Sequence, residues 1–282
     1  MRFDWYAATC PGAPPMELLE GLRSDLGGTV REGRRRLGYG QAFQVIDKGD
    51  EVLCEVLCGS VSGGHMEPHA CATGEAAHEF ALALRERLPD HRVTRMDAAE
   101  DFDEPGAFER ITRTMMEVKA RTGVKGRWIK PDEPEDGATY YLGSTSSAVS
   151  ARGYQKGLQV RKKLHPLTRD LVSEHWARLE VQVRPGKGAA KDLAASCTPE
   201  QAWGFATWSQ ELAREALSLD VARLQGLGWK GQTDDDRALD WMLRQYGGLL
   251  GRLHRDLGDW QCVGLQIGQR LAEIEAAAKA SR

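Results

Sequence analysis

Residues 137–157 read GATYYLGSTSSAVSARGYQKG. Polar and apolar residues alternate, a run of small polar residues turns the chain, and the alternation resumes. This is the pattern of a β-hairpin. In its second arm Arg152, Tyr154 and Lys156 recur at spacing two, which in a strand places all three on one face. A fold needs no tyrosine between two cations; a reaction at a phosphate would use one.

Two other stretches behave the same way. In HRVTRMDAAED (91–101), Arg95, Asp97 and Asp101 share a side, with Ala99 between the acids. In HWARLEVQVRP (175–185), Trp176, Arg178, Glu180, Gln182 and Arg184 face one way. Ala177, Leu179, Val181 and Val183 face the other, where a core belongs. An antiparallel sheet with one wet face explains any one of these strands, since cross-strand Arg–Glu pairs help set register. Their combination is more specific. If they are neighbours, a phenol, two carboxylates and several cations gather on one surface.

Around them the chain reads as mixed. DWYAATC is strand-like, and PPMELLEGLRSDLGG carries Met16, Leu19, Leu22 and Leu26 at helical spacing before Gly27 and Gly28. QAFQVID and EVLCEVLC flank KGD, a hairpin signal. Helices are predicted over Glu75–Leu88, closed by Pro89, and from Pro105 to Arg121, with Phe108, Ile111, Met115 and Val118 on one side. Thr198-Pro199-Glu200-Gln201 is a capping-box pattern, and helical periodicity runs from it to Leu224. GLGWKGQ (226–232) breaks the periodicity; it is no phosphate loop, lacking the strand and the Lys-Ser/Thr ending. Thr233 caps a further helix whose first turn holds Asp234, Asp235 and Asp236. The expected class is α+β: a central, largely antiparallel sheet with helices packed on one face, followed by a helical C-terminal region. The expected domains are 1–190, carrying the three polar-faced strands, and 191–282, helical, a candidate for recognition or for self-association.

A chain of 282 residues with net charge −3 can bury a real core and is no basic polyelectrolyte, so nucleic-acid contact must use local patches. REGRRR (31–36) and RGYQKGLQVRKK (152–163) are the candidates, each also readable as a solvated surface. No apolar run is long enough to span a bilayer, and Asp4 and Trp5 interrupt any signal peptide, so export and membrane insertion are not expected. Six scattered cysteines fit a reducing cytoplasm. Cys54, Cys58, His65, His69 and Cys71 have zinc-like composition, but their spacing matches no structural zinc pattern, and two inward side chains explain Cys54 and Cys58 better.

The chemistry of the three strands is definite. A phenol is a poor nucleophile until it loses its proton, at a pKa of about 10 when unperturbed. Arg152 and Lys156 would favour the phenolate and hold a phosphate. Two carboxylates suit Mg²⁺ or Mn²⁺, which prefer oxygen ligands and neutralise charge building on a phosphate. Attack by Tyr154 on phosphorus would leave the protein covalently joined to DNA, and that linkage conserves the phosphodiester's free energy for rejoining. Tyr141 can stack on an unpaired base, although a β-favouring residue in a sheet also serves packing. Trp203 and Trp208 read as core. His175 falls on the face opposite Arg178 and Glu180.

RMDAAEDF, TYYLGSTSSAVSARGYQKG and WARLEVQVRP, in this order, resemble the replication initiation proteins of filamentous bacteriophages, within the wider Rep trans family that includes rolling-circle plasmid initiators. PEQAWGFATWSQELA is similar to the phage branch. The resemblance implies a site-specific DNA nicking and joining enzyme. Such an enzyme cuts one strand at a double-strand origin, commonly hairpin-forming, stays on the 5′ phosphate through tyrosine, and leaves a 3′ hydroxyl to prime synthesis. It implies Tyr154 as nucleophile, with Asp97 and Glu180 at a divalent metal (Mg²⁺ or Mn²⁺) and Asp101 at a further acidic position. Arg152 and Lys156 would assist catalysis, and Arg178, Arg95, Arg161, Lys162, Lys163 and Tyr141 would contact DNA. The partners implied are origin DNA and the host replication helicase and polymerase, in the cytoplasm of a bacterial host, with a homodimer as the self-associated form. Gly153 stands where the family commonly has an aliphatic or aromatic residue, which predicts looser packing beside the nucleophile. A DNA-binding regulator that does not cut, and a metal nuclease that uses water, are the alternatives on the same scaffold.

Overall fold

The alternating segments pair into one sheet of ten strands, every neighbouring pair antiparallel. The computed structural model describes residues 1–62, 66–144, 146–186, 188–224 and 234–280. The strands are β1 (Arg2–Thr9), β2 (Thr29–Glu32), β3 (Tyr39–Ile46), β4 (Val52–Ser60), β5 (His69–Thr73), β6 (Arg92–Asp103), β7 (Gly126–Ile129), β8 (Thr139–Leu142), β9 (Val149–Tyr154) and β10 (Trp176–Val183). Their order is β2-β3-β4-β5-β1-β6-β10-β9-β8-β7. The three strands singled out by sequence, β6, β10 and β9, are therefore adjacent.

Helices α1 (Pro15–Leu26), α2 (Ala76–Arg87), α3 (Ala107–Thr122), α5 (Ala189–Ser196) and α6 (Thr207–Leu217) fill a single core with the inward residues of the sheet. Leu179, Val181 and Val183 of β10 meet Ile111, Met115 and Val118 of α3 in that core, as the alternation of β10 requires. Helix α3 ends at Gly123, whose φ of 71° lets its N–H close on the Lys119 carbonyl in the left-handed turn that only glycine adopts easily.

Gly153 has a packing role opposite to the one expected. A Cβ at that position would lie 2.9 Å from Ile111 Cγ2 and 2.9 Å from Met115 Sδ. The missing side chain lets α3 rest directly on β9, one residue before Tyr154.

The chain divides into two compact units, Met1–Trp229 and Lys230–Arg282. The structural division thus falls at 229/230 and not at 190/191. The reason is α5 and the segment after it: Ala190, Ala194, Cys197, Trp203, Phe205 and Leu212 are all buried in the first unit. The capping box forms as predicted, Thr198 Oγ1 accepting from the Gln201 N–H and Gln201 Oε1 from the Thr198 N–H. It opens a 3₁₀ turn, Gln201–Phe205, and not a long helix. At the end of the turn the chain folds back over Gly204, whose carbonyl accepts from the Leu224 N–H at 3.2 Å and from Arg223 Nη1 at 3.0 Å. In the second unit α7 (Asp234–Leu257) and α8 (Trp260–Ala280) form a helical hairpin in which Val263 is buried. The predicted cap Thr233, the break at 226–232 and His65 lie outside the described residues.

Candidate active site

Register decides which side chains of the wet face meet. On β10, Arg178 pairs with Tyr154 of β9 and Asp101 of β6; Glu180 pairs with Arg152 and Ala99; Gln182 pairs with Asp97. Side chains two positions apart on adjacent strands are diagonal neighbours. Glu180 and Asp97 are therefore brought together, and Tyr154 lies two positions from Arg152 on the same face.

Asp97 and Glu180 form one cluster. Each is 1% exposed. Arg152 forks onto Glu180, Nε to Oε1 at 3.0 Å and Nη2 to Oε2 at 2.9 Å. Arg95 forks onto Asp97, with Nε to Oδ1 at 2.9 Å and Nη2 on Oδ2, while the Gln182 amide donates to Oδ2 at 3.3 Å. Burial pushes the Glu180 carboxyl up to about 7; Arg152 opposes this and the neighbouring Asp97 adds to it. Two crowded, buried carboxylates are an oxygen donor set that fits a hard divalent cation such as Mg²⁺ or Mn²⁺, because such an ion relieves their repulsion. Among the described residues no group of three or more His, Cys, Asp or Glu side chains gathers in metal-binding geometry.

Asp101 belongs to a second cluster. Arg178, 2% exposed, donates from Nε to Asp101 Oδ1 at 2.7 Å, from Nη2 to Asp101 Oδ2 at 2.8 Å and from Nη1 to Asp4 Oδ1 at 2.6 Å. The Trp176 indole N–H adds a bond to Asp101 Oδ1 at 2.7 Å. These donors hold the Asp101 carboxyl below its ordinary range against the burial that would raise it. Arg178 was expected to clamp phosphates. Its donors instead stitch β10 to β1 and β6, so it is spent inside the sheet.

Tyr154 ends β9 with 3% of its surface exposed. The Arg152 guanidinium lies 5.0 Å from its ring centroid and the Lys156 ammonium 5.9 Å. Lys156 reaches it from the first position of α4 (Lys156–Arg161), not from the strand, and lies 6.0 Å from the Trp176 ring. The two cations were expected to favour the phenolate. In the free protein burial dominates and, with Glu180 beside it, raises the phenol above its ordinary value; Arg152 and Arg178 only partly offset this. Burial, then Arg178, lowers the Lys156 ammonium.

The remaining expected DNA contacts scatter. Arg95 also stacks on Trp5 at 4.0 Å. Arg161 pairs with Asp170 at 2.7 Å and Glu174 at 3.3 Å, and Lys162 with Asp136 at 2.7 Å, so these two cations tie down the connection from β9 to β10. Lys163 is exposed beside them. Tyr141 pairs with Arg152 across β8 and β9 and lines a pocket of about 70 Å³ with Arg152, Glu180 and Gln182. His175 precedes β10 and is exposed. His69, of the zinc-like set, is held down to about 4 by burial, and Cys54, Cys58 and Cys71 are buried thiols. Asp4, missed as a partner of the wet face, was signalled only by a lone acid in the DWYAATC strand.

Comparison with known proteins follows the same residues. Residues 91–198 match the family model for Rep trans, replication initiation factor. That span contains β6, β9 and β10, with both clusters but for Asp4. No curated protein gives a significant match. A rolling circle replication initiator protein from Geobacillus stearothermophilus shares the fold, with a TM-score of 0.50 and 17% identity, over 78% of this chain and 97% of that one. The resemblance read from three strands is thus met twice: their segment, residues 91–198, matches the replication initiation factor family, and the fold around it is like that of a rolling-circle replication initiator.

Proposed function

We propose that this chain is a site-specific DNA nicking and joining initiator of rolling-circle replication, of the phage branch, with Tyr154 as nucleophile. The observation that carries the reading is the convergence of Tyr154, Arg152, Asp97 and Glu180 on one face of adjacent strands. In the proposed step the phenol gives up its proton and its oxygen attacks phosphorus. The bond from phosphorus to the 3′ oxygen breaks, and that oxygen takes a proton to become the priming hydroxyl. The product is a 5′-phosphotyrosyl linkage, which attack by a 3′ hydroxyl reverses.

Arg152 uses Nε and Nη2 on Glu180, which leaves Nη1 as a donor for a phosphate oxygen. Lys156 supplies a second cation beside the ring. Asp97 and Glu180 are the residues that would hold Mg²⁺ or Mn²⁺. With a divalent ion held there, charge building at the phosphate would be neutralised and the Glu180 charge that helps keep the phenol protonated would be offset. The proposed partners are hairpin-forming double-strand origin DNA and the replication helicase and polymerase of a bacterial host, in its cytoplasm. No helix among the described residues is long and apolar enough to cross a membrane. The exposed Leu239, Trp241, Leu265 and Leu271 of the α7–α8 hairpin support homodimer formation through that unit.

The burial of Tyr154 favours one competing reading, a DNA-binding regulator that does not cut. Incubation of supercoiled origin plasmid with protein and Mn²⁺ separates them. The proposal expects nicked circles with protein on the 5′ end, reduced more than about 10³-fold by Tyr154→Phe. A gel shift without nicking supports the regulator. Nicking without an adduct that survives Tyr154→Phe indicates attack by water.

A further inference from the structure

Most cations that the sequence nominated for DNA are already paired. Arg95, Arg152, Arg178, Arg161 and Lys162 each hold a carboxylate. Uncompensated positive charge lies elsewhere, where the acidic loop after RWIK drew attention away from it. A cleft of about 580 Å³ runs along the last strand of the sheet, walled by Lys119 at the end of α3, Lys125, Arg127 of β7, and Tyr141 of β8. No acid lines it. Lys119, Lys125 and Arg127 are exposed, and none of the three makes an ion pair with a described acid.

Two features give this cleft a direction. The Arg127 guanidinium lies 5.7 Å from the Tyr141 ring centroid, so a cation and an aromatic face stand together on its wall. Tyr141 and Gly143 also wall the small pocket over Arg152 and Glu180. The cleft therefore borders the site of the proposed chemistry, with Tyr141 and Gly143 common to both. Its floor is kept low by Gly126, where a Cβ would lie 2.3 Å from Tyr140 Oη and 3.0 Å from Lys119 Cδ.

We infer that this cleft carries the single-stranded DNA next to the scissile phosphate, its backbone along Lys119, Lys125 and Arg127 and one base on Tyr141. The inference rests on the nicking reading and names the path of its substrate. A row of cations with an aromatic platform suits unpaired nucleotides, since a base within a duplex has no free face to stack.

The test uses the full chain carrying Tyr154→Phe, so that cleavage does not intervene, and a fluorescein-labelled single-stranded origin oligonucleotide followed by anisotropy across a salt series. Each phosphate contact contributes about 0.7 to the slope of log K against log salt for single strands. Lys119→Ala/Lys125→Ala/Arg127→Ala together are expected to lower that slope by about 2. Tyr141→Leu is expected to weaken binding about tenfold with the slope unchanged. If the triple variant melts earlier than the parent, Lys125→Ala alone is read instead, for a loss of about 0.7. An unchanged slope, or an equal loss on the matching duplex, overturns the inference. Adduct formation by the chain with Tyr154 intact is scored separately. Adducts with an unchanged slope sink the cleft and spare the nicking reading, and the reverse result does the opposite.

Discussion

Asp97 and Asp101 leave β6 on the same face, four residues apart, and each meets an arginine. Their circumstances then diverge. Asp101 shares Arg178 with Asp4 and takes a third donor from Trp176, and its carboxyl is held low. Asp97 has Arg95 to itself but is pressed against Glu180, and it is Glu180 whose carboxyl rises to about 7. The donors are of one kind in both places. Each holds two carboxylates; what differs is burial, since Asp97 and Glu180 are each 1% exposed whereas the Asp101 side chain is 34% exposed and that of Asp4 12%. The first arrangement is a staple joining three strands, and the second is a strained pair suited to receiving positive charge.

The comparison breaks most visibly at the staple. Arg178→Ala removes the cation that Asp4 and Asp101 share and leaves only Arg2, 3.7 Å from Asp101, and a loss of about 3 kcal/mol is expected in urea denaturation. A loss under about 1 kcal/mol would mean that the cluster is solvated rather than structural.

The strained pair is exposed by its pH dependence. Glu180 has a folded pKa near 7 against an ordinary 4.5, so the folded state holds a proton that the unfolded chain releases. Stability therefore falls as pH rises from 4.5 to 7, by on the order of 3 kcal/mol. Glu180→Gln is expected to flatten that fall when thermal unfolding is followed from pH 4.5 to 8. Asp101 has the opposite sign, since its lowered carboxyl stabilises above its ordinary range and the benefit is lost only in acid. Parallel stability curves for the parent and Glu180→Gln would remove the distinction between the clusters.

A smaller effect sharpens it. Trp176→Phe keeps a ring near Lys156 but deletes the indole donor to Asp101. A loss of about 1 kcal/mol is expected, with the Asp101 carboxyl moving upward in NMR titration. A shift at Glu180 instead would show that the two clusters act as one.

Much of this was legible in the sequence. The strict alternation of 176–183 has only one reading as a strand, and it fixed which side of the sheet is dry. Alternation named the polar side of each of the three strands, but that β6, β10 and β9 are neighbours, which brings Tyr154, Asp97 and Glu180 to a common face, is seen only in the pairing. Other features were hidden for physical reasons. Lys156 continues the spacing of Arg152 and Tyr154, yet the strand stops at Tyr154 and the lysine belongs to a helix. Helix α5 buries alanines, whose small area gives almost no periodic signal, so the first unit looked complete at residue 190 when it runs to 229. Asp4 stands 174 positions from Arg178, and nothing local announces the pairing. The same holds for Lys119, Lys125 and Arg127. In one dimension a neutralised cation and an uncompensated one are the same letter.

Gly153 has a consequence for how this protein can vary. The contact between α3 and β9 leaves no vacant volume there, because Ile111 and Met115 already occupy the place of the missing side chain. Positions 111, 115 and 153 therefore share one fixed allotment of space. A side chain added at 153 has to displace Ile111 and swing the Met115 thioether aside, so smaller residues at 111 and 115 are the substitutions that would make room for it.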